Sequence, residues 1–297
     1  MRSEPRNFFV LEEKPSQMNQ SMNRILIRVA FLVICAPALA TPTLADEVSN
    51  QAKDSEDDVY YYGSFTRFQP GKEDEARSFI YQHFWTVDKV IGRKPIPFDF
   101  VTGPWDHVVF FRLENGLADA EIEKTAMLQQ WKQQFEKQEG GSEEAAKAQA
   151  NFDAMVDQTV SGLFKIPSDD VEVIENAYSW NAKESYFRVQ FVNYKAGKKP
   201  AATDLIMKYF RPARQKIDRV VVPLFSVAGP YDQIVFIQIE PSSLESITAD
   251  SQDAAWIQAM GGEEKAAKAR SLYNGFVQQD LREIAIGRWC RDRAARH

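Results

Sequence analysis

An α+β fold of two like units, each running β-α-β-β-α-β and packed against the other through their sheets, is what the sequence predicts. Three observations carry that prediction. The chain matches itself at an offset of 126 residues; apolar periodicity switches between two and three-to-four in the same order in each half; and a Gly-Pro-aromatic-Asp turn stands at the same place in both. The match lays Tyr60 on Tyr186, Phe65 on Phe191, Gly71-Lys72 on Gly197-Lys198, Phe84 on Phe210, Pro97 on Pro223 and Glu114 on Glu240 without a gap. After small length changes Trp131 meets Trp256, and Gly140-Gly141 meets Gly261-Gly262. A repeated unit of about a hundred residues is too long for a solenoid and suits two domains.

The elements follow in order. Residues 59–68 and 185–194 are rich in Tyr and Phe and end at Gly, which reads as a strand in each copy. Ala76, Phe79, Ile80, His83, Phe84, Val87 and Ile91 fall at helical spacing, as do Ala202, Leu205, Ile206, Tyr209, Phe210 and Ile217, with Pro212 set to bend or break the second helix. Residues 97–102 and 106–114 flank Gly103-Pro104-Trp105-Asp106 and form a hairpin; 220–228 and 232–240 do the same around Gly229-Pro230-Tyr231-Asp232. Polar, Ala-rich helical stretches, 117–158 and 244–277, lead to short last strands at 160–166 and 281–286. This is the ferredoxin-like order. The organisation expected is an N-terminal extension and signal over 1–45, a first repeat over 59–167, a linker over 168–184, a second repeat over 185–287 and a polar tail over 288–297.

A four-stranded sheet with helices on one face needs cover on the other. In the first strand Tyr61, Gly63 and Phe65, matched by Phe187, Val189 and Phe191, form the greasier face, expected under the helices. Tyr60, Tyr62, Ser64, Thr66 and Phe68 would then face the other unit. In the third strand Val108, Phe110, Arg112 and Glu114, with Ile234, Phe236, Gln238 and Glu240, are expected to face the shared interior. With these residues in view the chain resembles the dimeric α/β-barrel superfamily, here as a tandem. The Gly-Pro-(Trp/Tyr)-Asp turn, with Trp131 and Trp256 downstream, looks most like its NIPSNAP-type branch. The resemblance spans about 59–287 and implies two ferredoxin-like units packed sheet to sheet. The superfamily's reactions are too diverse for activity to follow from it.

Composition narrows the rest. The chain has 297 residues, 44% of them apolar, enough for a core, and a formal charge of −6, which disfavours nucleic acid as a partner. Arg24 and Arg28, the apolar run Val29–Ala36 and the small residues around Ala40 and Ala45 have the order of a secretory signal, so a periplasmic or secreted protein cleaved near Ala40 or Ala45 is expected. The run is shorter than the ~20 residues that cross a bilayer, and no stable membrane insertion is expected. Five of the 36 basic and three of the 42 acidic residues precede residue 46, leaving 31 against 39 in such a mature chain. Cys35 stands behind Ile34, a poor context for lipid attachment, and the remaining Cys290 has no partner for a disulfide. A monomeric pseudo-dimer or a homo-oligomer fits the repeat.

Chemistry is less legible. No His/Cys/carboxylate cluster has metal-ligand spacing, and no motif calls for a cofactor. His83 lies on the helix stripe, where a boundary role is the plainer reading; His107 begins the third strand and is matched by Gln233, and a haem or catalytic role for it is weighed against a structural one. Asp106 and Asp232 suit backbone N–H groups at the turn. Arg93 and Arg219 suit a surface ion pair or an anionic ligand. The polar constellation expected at the interior is Tyr62, Arg112, Glu114, Arg188, Gln190, Gln238 and Glu240, with the two Glu as candidate acids or bases or as ion-pair partners of Arg112 and Arg188. Three functions stay open: an exported protein holding a small, partly apolar ligand in the barrel; a cofactor-independent enzyme of monooxygenase or isomerase type on such a molecule; and a structural or assembly protein whose interior is simply core.

Overall fold

The computed structural model of the chain describes residues 58–121, 125–176, 185–217, 220–239 and 253–287. The signal-like segment, Arg219, Glu240 and the C-terminal tail lie outside them. The first unit runs β1 (Asp58–Phe68), α1 (Glu73–Phe79), a π-helical turn (Ile80–Phe84), α2 (Trp85–Ile91), β2 (Ile96–Phe100), β3 (His107–Arg112), α3 (Ala126–Glu139), α4 (Ser142–Met155) and β4 (Val156–Pro167). The linker begins with a helix, α5 (Ser168–Asn176). The second unit repeats the order as β5 (Ser185–Tyr194), α6 (Lys199–Leu205), a π-helical turn (Ile206–Phe210), α7 (Arg211–Arg214), β6 (Val221–Ala228), β7 (Gln233–Ile239), α8 (Asp253–Met260), α9 (Glu263–Phe276) and β8 (Val277–Gly287).

Pro212 is accommodated in the first turn of α7, just past the π turn, where its missing N–H costs little. Gly140 takes the left-handed backbone that stops α3, φ 94°, and α4 starts two residues on.

All eight strands pair antiparallel in one closed ring, β1-β3-β2-β8-β5-β7-β6-β4. Each unit contributes four neighbours, and the seams are β2 with β8 and β4 with β6. The chain is thus two ferredoxin-like units forming an intramolecular α/β barrel. Three pairs of residues 126 positions apart meet inside it: Phe65 with Phe191 at 6.3 Å between ring centres, Phe110 with Phe236 at 5.7 Å, and Trp105, whose indole N–H donates to the Tyr231 hydroxyl at 2.8 Å. The aromatic residues of the two Gly-Pro-aromatic-Asp turns therefore close one mouth of the barrel together. At the other mouth Val171 and Ile174 of α5 join the same apolar cluster.

The barrel interior is filled. Tyr61, Phe65, Phe110, Phe164, Val189, Phe191, Leu224 and Ile234 are fully buried, and Phe98 stacks on Phe236 at 4.1 Å. A Cβ at Gly63 would stand 2.8 Å from the Phe110 ring and 3.0 Å from that of Phe164. Size is traded between units: Tyr61 is paired with Phe164 where the second unit pairs Phe187 with Ala285, and the small Gly63 next along β1 makes room for the Phe164 ring where β5 has Val189. An eight-stranded barrel is just wide enough for side chains to fill, and this one does so with aromatic rings.

Two expectations are corrected. Tyr61, Phe65, Phe187, Val189 and Phe191 face the interior, and Tyr60 and Tyr62 lie beneath the helices with Leu128, Trp131 and Phe135. The reason is that the closed barrel excludes water from every side, so it takes the greasier face of β1, while amphipathic helices tolerate a mixed one beneath them. The barrel interior, where a ligand was expected, is packed with side chains among the described residues. In β3 the inward face is as expected, Val108 and Phe110.

Candidate functional site

Open space lies on the outer face of the first unit, between its sheet and its helices. The cleft is floored by Ser64 and Thr66 of β1, His107, Val109 and Phe111 of β3, and Pro97 of β2. It is roofed by Ile80, Phe84, Trp85 and Asp88 from the π turn and α2, by Trp131 of α3 and Phe152 of α4, and Arg93 and Pro95 enter from the α2–β2 loop. The cleft has a cavity volume of about 80 Å³, and about 680 Å³ of empty space when the open solvent at its mouth is counted. An apolar hole that holds benzene measures ~150 Å³. The closed part thus takes one small group of a ligand, with the remainder in the mouth.

The hairpin register places the chemistry. Residues 99 and 107 are directly paired across β2 and β3, and 66 and 107 across β1 and β3, so Thr66, His107 and Asp99 form one row on the outer face. His107 Nδ1 lies 2.8 Å from Asp99 Oδ1, both residues being almost wholly buried. The Tyr81 hydroxyl donates to Asp99 Oδ2 at 3.0 Å, and Arg77 Nε stands 3.7 Å from Oδ1. The Arg77 guanidinium and the Tyr81 hydroxyl hold the Asp99 carboxyl in place against His107 Nδ1; with Nδ1–H donating to Asp99, the lone pair of the neutral ring stands on Nε2. His107 itself lines the cleft. A fixed imidazole with one nitrogen tied to a carboxylate is the arrangement that makes the other nitrogen a proton acceptor.

Asp88 is the second titratable group in the cleft. Burial raises its pKa from 3.8 to about 6, against the opposing pull of the Arg93 guanidinium and a hydrogen bond from the Trp131 side chain. Arg93 Nη1 is 3.5 Å from Asp88 Oδ1, with both side chains about nine-tenths buried, and the guanidinium stacks on Phe111 at 3.6 Å. The Arg93 pair is therefore a buried one inside the cleft, where a surface pair was the plainer expectation.

The second unit lacks this site. Gln233 stands in the place of His107, Phe225 in that of Asp99 and Arg214 in that of Asp88. Gln233 Oε1 accepts from the Tyr194 hydroxyl, and Tyr273 approaches to 3.5 Å. Burial raises both phenols, Tyr273 to about 12, so they stay neutral. Arg214 is drawn away to Asp170 of α5 at 2.6 Å.

The seven residues expected to gather at the interior do not meet. Tyr62 faces the helices and donates to Ser161 Oγ at 2.6 Å; Arg188 and Gln190 occupy the same outer face of β5, alternating with the inward Phe187, Val189 and Phe191. Arg112 and Gln238 share the inner register at the α5 end, paired with Tyr61 and Phe187. Glu114 is exposed beyond β3, 4.0 Å from Arg112, and Glu240 lies outside the described residues. Asp106 and Asp232 do accept backbone N–H groups, but across the sheet and not within the turn as expected: the donors are Phe68 and Tyr194 at the end of each unit's first strand, at 2.8 Å. His83 bonds Glu139 at 2.8 Å and stacks on Phe79 at the helix boundary.

Asp99 is the residue that sequence reasoning missed. A hairpin centred on Gly103 pairs residues symmetrically about it, and that arithmetic alone sets Asp99 opposite His107. Among the described residues no group of three His, Cys, Asp or Glu could hold a metal ion, and no helix is long and apolar enough to cross a membrane.

A single chain closed as an eight-stranded α/β barrel of two ferredoxin-like units, with an outward cleft lined by the histidine of a His–Asp pair, is the class this architecture defines. Among solved structures the chain is similar to an anthrone oxidase-like protein, at 10% identity over 80% of this chain and 97% of that one, with a TM-score of 0.45. It is also similar to a mutant chlorite dismutase from Candidatus Nitrospira defluvii, at 12% identity over 77% and 91%, with a TM-score of 0.41. At such identities and scores the chemistry of those proteins does not transfer. No protein-family model matches the chain, and no curated protein does.

Proposed function

We propose that the chain is an enzyme of the cofactor-independent type, which removes a proton from a small, largely apolar organic molecule seated in the cleft of the first unit. The observation that carries this is the Asp99–His107 pair, fixed by strand register, with His107 lining a cleft whose wall also carries aromatic rings. Asp99 orients the imidazole through Nδ1; the neutral ring takes the proton at His107 Nε2; Phe84, Trp85, Trp131 and Phe152 hold the apolar body and exclude water. Positioned general-base catalysis contributes typically 10²–10⁴-fold. Incorporation of solvent deuterium into a panel of small carbon acids is the direct assay. The expected result is exchange above the buffer rate that falls at least about 100-fold in His107→Gln, the residue the second unit carries. Exchange that matches buffer across the panel, or survives His107→Gln unchanged, overturns the reading.

Two further points belong to the same proposal. The axial contacts between residues 126 apart support descent of the two units from one duplicated ancestor, after which the first carries the Asp99–His107 pair where the second has Phe225 and Gln233. The basic-apolar-small order of residues 24–45 supports work outside the cytoplasm, and N-terminal sequencing of protein from its own host should begin after Ala40 or Ala45.

A further inference from the structure

A single row of side chains crosses the outer face of the first unit's sheet. Residue 159 of β4 is paired with 66 of β1, 66 with 107 of β3, and 107 with 99 of β2, so Thr159, Thr66, His107 and Asp99 stand side by side. Thr66 and His107 both line the cleft. Directly opposed side chains of an antiparallel pair have Cβ atoms about 4.5–5.5 Å apart, so a ligand that meets the imidazole also meets the Thr66 side chain. Thr66 is 8% exposed, and its hydroxyl stands 3.4 Å from that of Thr159, past the roughly 3.0 Å of a well-made O–H···O bond. Burying a hydroxyl so loosely bonded costs free energy. In the second unit the row reads Asp280, Val192, Gln233 and Phe225. Valine keeps nearly the shape of threonine and drops the hydroxyl, so the donor is missing where the imidazole is missing, and packing at the wholly buried Val192 does without it.

We propose that Thr66 is a catalytic residue and that the substrate is a neutral carbonyl compound with a C–H bond beside the carbonyl. The inference rests on His107 being the base. His107 Nε2 takes the proton, the electron pair of the broken C–H bond moves into the carbonyl to give an enolate, and the Thr66 O–H donates to the oxygen where the charge collects. Return of a proton from the imidazolium to carbon restores the carbonyl compound, so no oxidant or second substrate is consumed. A donor aimed at an oxygen that gains charge stabilises the transition state more than the ground state. A neutral substrate fits the wall: the Arg93 guanidinium faces the Asp88 carboxyl at 3.5 Å and lies against Phe111, and apart from His107 the rest of the lining is apolar, aromatic or hydroxylic.

1-Indanone and indene, one two-ring body with and without the carbonyl, test this with the full chain. Solvent-deuterium exchange into 1-indanone should fall about 100-fold in kcat in Thr66→Val, with KM little changed, and Thr66→Ser should keep it within about tenfold of the native rate. Exchange into indene, which has no oxygen, should not distinguish the three proteins. The infrared carbonyl stretch of bound 1-indanone supplies a readout free of exchange: it should lie lower in the native chain than in Thr66→Val. If Thr66→Val does not fold, Thr66→Ala takes its place in each arm. An equal fall for both compounds, or a carbonyl stretch that losing the hydroxyl leaves in place, overturns the role of Thr66 and leaves His107 as the base. A stretch that depends on Thr66, with no exchange by the native chain, keeps the carbonyl ligand and removes the base; neither binding nor exchange removes both.

Discussion

Asp88 couples the cleft to stability. Its carboxyl titrates near 3.8 when the chain is unfolded and near 6 when folded, so between those values the folded state holds a proton that the unfolded state has released. The contribution is therefore full below pH 3.8 and is lost as pH rises through 6. At ~1.4 kcal/mol per pH unit it amounts to about 3 kcal/mol. Denaturant unfolding at a series of pH values should show this slope between about pH 4 and 6 in the native sequence and a flatter one in Asp88→Asn; equal slopes would place the carboxyl in water instead. At this scale the sequence was partly legible. That Asp106 and Asp232 accept backbone N–H groups was readable from turn chemistry; that the donors sit on each unit's first strand, at Phe68 and Tyr194, was not. The Asp99–His107 pair depends on strand register, and Asp88–Arg93 on the turn of a helix against a sheet. Neither appears in residue type, and the seven residues expected at the interior were chosen by type.

The elements show where face assignment failed and why. Strand positions and the β-α-β-β-α-β order were readable from periodicity, and 185–194 coincides with β5. Which face of β1 turns inward was not, since Tyr60, Tyr61, Tyr62 and Phe65 are apolar on both sides and alternation cannot rank two greasy faces. Each unit's first helix carries a π turn, at Ile80–Phe84 and Ile206–Phe210, and in the first unit Ile80 and Phe84 roof the cleft. One extra residue in a helical turn is a device found at functional sites, and nothing in helical spacing announces it. Interior packing gives the test at this scale. Gly63→Ala pushes a methyl into the Phe110 and Phe164 rings and should cost about 1–3 kcal/mol, read by chemical denaturation. Gly71→Ala is the wrong control because of its positive φ; Ser64→Ala, on the opposite face of β1, should change stability by less.

At the scale of the whole molecule the two units are one cooperative body. α5 belongs to neither sheet: Val171 and Ile174 plug the barrel, while Asp169 and Asp170 pair with Arg211 and Arg214 of the second unit at 2.6–3.2 Å. Breaking a buried pair from one side leaves an uncompensated charge, so Arg214→Ala should lower stability by about 3–5 kcal/mol without changing the number of transitions. The intact chain should unfold in one calorimetric transition. Separately produced halves, 46–167 and 185–297, should stay soluble only when mixed; a half that is monomeric and fully folded alone would contradict the shared core. The seam between β2 and β8 has a further bearing on how the molecule is made. Ile96–Phe100 pairs with His107–Arg112 on one side, but its other edge is covered by Val277–Gly287, so a ribosome must deliver nearly the whole polypeptide before that backbone edge is paired. Throughout synthesis the nascent first half carries a bare, greasy strand, and that is the interval in which a chaperone has something to hold.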